Sequence, residues 1–122
     1  MSNLLQPPGG YTKYNALAAL MAALTSKRYI HISFHFVAPM TELEGAHRVQ
    51  SVVNTADDWL KYAGNCWIVW SRLTPKQWFE KFEAVPELSK CSVLIVRLDL
   101  SPENRSGQLP EWAWEWMRKA RT

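Results

Sequence analysis

The chain has 122 residues, enough for one domain with a core of its own. With 48% hydrophobic and 20% charged residues it is not a disordered chain, and two cysteines are too few for a disulfide scaffold. A net charge of +3 does not demand a polyanionic partner, and the best apolar run, Ala16–Leu24, is shorter than the ~18–20 residues of a membrane span.

Pro7-Pro8-Gly9-Gly10 makes residues 1–11 a flexible N-terminal tether, and the absence of a basic start argues against a signal peptide. Residues 12–122 then read as a single domain with an N-terminal helical extension. Thr12 caps a helix expected over residues 13–24, apolar nearly all round, which the domain or a second copy must cover.

Tyr29–Val37 alternates as a strand, with Ile30, Ile32, Phe34 and Phe36 on one side and Tyr29, His31, Ser33 and His35 on the other. Ala38-Pro39 ends it. Thr41 and Glu44 have capping-box spacing for a helix carrying Leu43, Ala46, Val49, Val52, Val53 and Ala56. Trp59–Ala63 fits two readings, a continuation of that helix or a short strand turning at Gly64-Asn65.

Cys66–Ser71 is apolar, β-branched or aromatic, a buried strand. Thr74-Pro75-Lys76-Gln77 starts a helix, with a capping threonine, proline at the first helical position and glutamine three after the cap. Trp78, Phe79 and Phe82 give that helix its apolar face. Ser92–Leu100 is the last strand, Leu94, Val96, Leu98 and Leu100 facing one way and Val93, Ile95, Arg97 and Asp99 the other. After a polar loop, Pro110 opens a terminal helix in which Trp112 and Trp116 share a face and Trp114 does not.

Helix-length crossovers between strands imply interleaved βαβ units. The expected fold is α+β: a ferredoxin-like βαββαβ antiparallel sheet with helices on one face, plus the extra N-terminal helix and the C-terminal Trp-rich helix. Strand one lies centrally, antiparallel to the Cys66 strand and to the last one. Seven tryptophans in so small a chain imply a wide aromatic core, a sticky face, or both. Cys66 and Cys91 sit in or beside apolar runs as small hydrophobes, which favours a reducing, cytoplasmic setting.

Ile30-His31-Ile32-Ser33-Phe34-His35-Phe36, then Asp58-Trp59-Leu60-Lys61-Tyr62-Ala63 leading into Cys66-Trp67-Ile68-Val69-Trp70-Ser71, resembles the small bacterial SinR-like proteins. These are similar in fold to the small subunit of the CRISPR spacer-integration complex. Thr74-Pro75-Lys76-Gln77-Trp78 and Val93-Leu94-Ile95-Val96-Arg97-Leu98 fall where that pattern puts the second helix and fourth strand; coverage is about residues 29–118. The resemblance implies a strand at Trp59–Ala63 and a homodimer. It carries no activity across, because the nuclease members keep a carboxylate near the end of strand one, where this chain has His35-Phe36-Val37.

Candidate chemistry centres on the polar stripe. His31, Ser33 and His35 share a strand face, and antiparallel pairing is expected to bring Arg97 or Asp99 beside His31, where an acid orients an imidazole for acid–base work. The alternative is an ordinary sheet surface or a dimer contact. His31 and His35 lie ~13 Å apart along a strand, too far for one ion, and no Cys-x-x-Cys or His-Glu-x-x-His spacing exists, so no metal and no cofactor is expected. His31-Ile32-Ser33 matches half of a two-histidine phosphoesterase motif, but neither His35-Phe36-Val37 nor His47-Arg48-Val49 supplies the other half.

Residues 61–122 hold ten basic against seven acidic residues. Trp114 near Arg118, Lys119 and Arg121 therefore makes a second candidate, a surface that stacks bases and holds RNA or DNA phosphates together with Arg97. Cations closing a helix, and tryptophans packing it on the sheet, explain the same residues structurally. The primary expectation is a non-enzymatic interaction or regulatory homodimer; a nucleic-acid-binding or nuclease-like protein and a phosphoesterase using His31 are the alternatives.

Overall fold

The computed structural model describes residues 16–17 and 26–121. The expected tether and most of the N-terminal helix lie outside the described residues, although Ala16 and Leu17 are helical. The described chain runs β1 (Arg28–His35), α1 (Glu42–Val53), β2 (Asp58–Ala63), β3 (Cys66–Ser71), α2 (Pro75–Glu83), β4 (Ser92–Leu98), a 3₁₀ turn at Pro102–Asn104, and α3 (Glu111–Arg118). No described helix is long and apolar enough to cross a membrane.

Both capping boxes form. The Thr41 hydroxyl accepts the Glu44 N–H at 3.1 Å while the Glu44 carboxylate takes the Thr41 N–H at 3.2 Å. Thr74 and Gln77 repeat the exchange at 3.1 and 2.9 Å, with Pro75 at the first helical position. Each box satisfies backbone donors that the start of a helix otherwise leaves unpaired. Trp59–Ala63 is strand, within Asp58–Ala63, and it pairs antiparallel with β3 through Trp59↔Val69 and Leu60↔Ile68.

The four strands form one antiparallel sheet in the order β2-β3-β1-β4. Strand one is central, as its alternation and the order of elements imply. Its inner residues Ile30, Ile32 and Phe34 pack with Trp67 and Val69 of β3 beneath α1 (Ala46, Val49, Val53) and α2 (Trp78, Phe82). Full burial of each such aliphatic or phenyl side chain stabilises by about 1.5–3 kcal/mol. The polar ends of the two innermost tryptophans are bonded, Trp67 Nε1 to Gln50 Oε1 at 3.0 Å and Trp78 Nε1 to the buried Ser71 Oγ at 3.2 Å. Gly45 lets α1 lie against Phe36, whose ring would be 2.3 Å from an added Cβ.

The terminal helix is not on this side. α3 crosses the opposite face, where Ala113 and Met117 cover Leu60 and Ile68, with Tyr29, Leu98, Trp114 and Trp116 around them. The sheet is thus covered on both faces, fully by α1 and α2 and partly by α3. The expected division of α3 is also corrected. Its inward face is Ala113, Trp114, Trp116 and Met117, and the ring left in solvent is Trp112, 55% exposed. A helix whose buried positions are spaced i, i+1, i+3, i+4 presents a stripe between Trp114 and Trp116 rather than one centred on Trp112.

Candidate functional site

The face that α3 only partly covers is built from alternate residues of three strands. His31 stands between Ile68 of β3 and Val96 of β4, and Ser33 between Cys66 and Leu94. His35 ends β1, exposed, opposite Ser92. The register overturns the expected His31–Arg97 juxtaposition: Arg97 lies opposite Ile30. Directly opposed residues of an antiparallel pair share a face, so Arg97 points to the side of α1 and α2 with Val93 and Ile95. Asp99 does not reach His31 either. It follows the end of β4, and its carboxylate accepts the Ser101 N–H at 2.9 Å, a bond that holds its pKa below the usual carboxylate range.

The partner of His31 is Tyr62, on β2. Nε2 and the phenol oxygen are 2.5 Å apart, half-buried on the sheet surface. Burial pushes the imidazole pKa down, so the ring is held neutral. Burial also raises the Tyr62 phenol, to about 12, with the neighbouring Cys66 thiol adding to the effect. His31 and Tyr62 therefore form a neutral hydrogen-bonded pair. No three His, Cys, Asp or Glu side chains among the described residues stand close enough to share a metal. Both cysteines are free thiols.

The cations of the C-terminus separate into two kinds. Arg121, 5% exposed, is a fastener. Its guanidinium donates to Asp58 Oδ2 at 2.9 and 3.3 Å, to the Tyr29 hydroxyl at 3.1 Å and to the Trp116 carbonyl at 2.7 Å, and it lies 4.1 Å from the centre of the Trp116 ring. The end of the chain is thereby tied to the starts of β1 and β2. Burial alone would raise the Asp58 pKa; the bonds from Arg121, the Trp116 indole nearby and the Trp59 N–H outweigh it and leave the carboxyl below its ordinary value. Arg121 is therefore not a surface cation, and Trp114 is half-buried in the α3 packing.

Lys119 is exposed, 3.9 Å from Asp58, and Arg118 is exposed and paired with Glu111. Arg118 also lines a cleft at the end of the sheet together with Lys27, Arg28 and Arg105. These three come from the start of β1 and from the polar loop after β4, and nothing in their spacing along the chain brings them together. Asp58 and Tyr62, the partners that fix Arg121 and His31, are equally hidden in a segment whose pattern suits helix and strand alike. Compared with models of protein families, with curated proteins and with solved structures, the chain matches none.

Proposed function

We propose that this chain is a small non-enzymatic interaction or regulatory protein that acts as a homodimer of ferredoxin-like domains. The order of elements, β-α-β-β-α-β, and the sheet order β2-β3-β1-β4 support that fold. The observation that carries self-association is on β4. Leu94 and Val96 are 59% and 36% exposed, side by side on the part of the sheet that α3 leaves open.

β4 is an edge strand, and among the described residues no other strand pairs with its outer side. It also lacks the proline or bulge that usually blunts such an edge, and Arg97 is its single charge. An apolar pair beside a free backbone edge suits a two-fold contact, because a second copy brings the same residues to meet them. A binding role is favoured over a catalytic one by the state of His31. It lies between Ile68 and Val96 and is engaged by Tyr62 instead of an acid.

Light scattering of the full chain tests the proposal. A dimer whose mass does not change from tens of micromolar down to about one micromolar is expected. A monomer throughout that range overturns it.

A further inference from the structure

The cleft at the end of the sheet has a volume of about 710 Å³, within the range of sites for small molecules. Its floor is aromatic and apolar, with the rings of Tyr29 and Trp70 packed 4.7 Å apart between their centres. Its walls carry four cations, Lys27, Arg28, Arg105 and Arg118, against one carboxylate, Asp99. They come from the start of β1, the loop after β4 and the end of α3. The fold therefore concentrates at one point a positive charge that the chain's overall +3 does not suggest.

Each cation has a partner within the chain. Lys27 is 3.6 Å from Asp57, Arg28 bonds the Ser26 carbonyl at 3.1 Å, Arg105 bonds the Leu100 carbonyl at 2.9 Å, and Arg118 meets Glu111. The ion pairs of Lys27 and Arg118 are weak, so they orient the charged heads without preventing an anion from competing for them. The Arg105 and Arg118 guanidinium groups each present a planar fork of N–H donors that fits phosphate oxygens. Asp99 is turned to the Ser101 N–H and is ionised, which leaves it as an acceptor for hydroxyl groups.

We infer that this cleft binds a nucleotide, its phosphate held by Arg105, Arg118 and Lys27, its base against the Tyr29–Trp70 floor and its sugar hydroxyls beside Asp99. The same chemistry is offered by a free mononucleotide and by one nucleotide unit of a single strand. Stacking on aromatic rings and cation contacts to phosphate are the two terms that such recognition combines. The inference does not depend on self-association through β4, which uses a different part of the sheet.

The test is titration of the full chain at low salt with adenosine and uridine monophosphates, with a short single-stranded RNA, and with inorganic phosphate, read by calorimetry and by tryptophan fluorescence. Saturable nucleotide binding at least tenfold tighter than that of phosphate is expected, weakening as salt rises. Arg105→Gln with Arg118→Gln should reduce it at least tenfold. Lys90→Gln, away from the cleft, should leave it unchanged, with the folded state of each variant checked by circular dichroism. Binding of the monophosphates identifies a free nucleotide as ligand; binding of the RNA alone identifies a strand; either supports the site. The inference is overturned by no saturable binding of either, by phosphate binding as tightly as nucleotide, or by binding that the double variant does not weaken.

Discussion

On one face of the sheet, α1 and α2 close over Ile30, Ile32, Phe34, Trp67 and Val69 until none is in contact with solvent to any extent. On the other, eight residues of α3 cover Leu60 and Ile68, while Leu94 and Val96 stay in water. The first face is held by packing, with its few polar atoms satisfied inside it. The second is held by a short helix and by one arginine beyond its end, which donates hydrogen bonds to three separate parts of the chain. The larger buried core belongs to the first face, and the exposed apolar pair of β4 belongs to the second.

The sharpest way to break this contrast is to open the well-packed face. Trp78→Ala removes a fully buried ring and leaves Ser71 without its indole partner. A loss of about 3–5 kcal/mol in urea unfolding is expected, with every spectroscopic probe reporting one transition.

The matching experiment on the other face should behave differently. Arg121→Met retains much of the side chain's bulk but removes the guanidinium from Asp58, Tyr29 and Trp116. Because Asp58 keeps about a third of its side chain in solvent, the loss should be about 1–2 kcal/mol. Hydrogen exchange should locate it. Amides of α3 should exchange faster while those of β1 and β3 keep their protection; uniform acceleration would mean that the two faces open as one unit.

Acid gives a third probe, and the sign is fixed by His31. Its pKa in the folded protein lies below the ordinary 6.5, so between the two values the unfolded chain binds more protons. Its contribution to stability is complete above about pH 6.5 and is lost as pH falls through the lowered value. The urea midpoint should therefore fall between pH 7.5 and 5.5, and fall less in His31→Gln, which keeps an acceptor for Tyr62. The Asp58 contribution fails in a separate window. Its carboxyl is depressed below 3.8, so that stability is present above this value and disappears as pH falls through the depressed one.

What the sequence reveals follows the range of the interaction. Thr41 with Glu44, and Thr74-Pro75 with Gln77, declare their helices because a cap is local, three residues across. The alternation of β1 declares its faces because only one set of its residues is mostly aliphatic and phenyl. β4 has no such contrast: Val93 and Ile95 oppose Leu94, Val96 and Leu98, and both sets would bury well. Only the pairing Ile32↔Ile95 decides, and it turns Arg97 away from His31. Trp59–Ala63 was undecided for a similar reason, since five residues satisfy a period of two or of 3.6 equally. The cationic cleft depends on three distant segments meeting, which no local pattern records.

The smallest effect on stability should come from the residues that carry the proposed contact. Leu94→Glu with Val96→Glu places two carboxylates on the open part of the second face, where the side chains already meet water. A change within about 0.5 kcal/mol in the unfolding free energy of the monomer is expected, as for other exposed positions. The same pair of charges meeting its own copy across a two-fold would be repelled, and the edge would be guarded as soluble proteins guard theirs. Light scattering should then report a monomer that still unfolds in one cooperative transition, less stable than the dimer only by the association free energy it has lost. Loss of the fold together with the dimer would mean that Leu94 and Val96 belong to the core after all, and that the second face is not the less committed of the two.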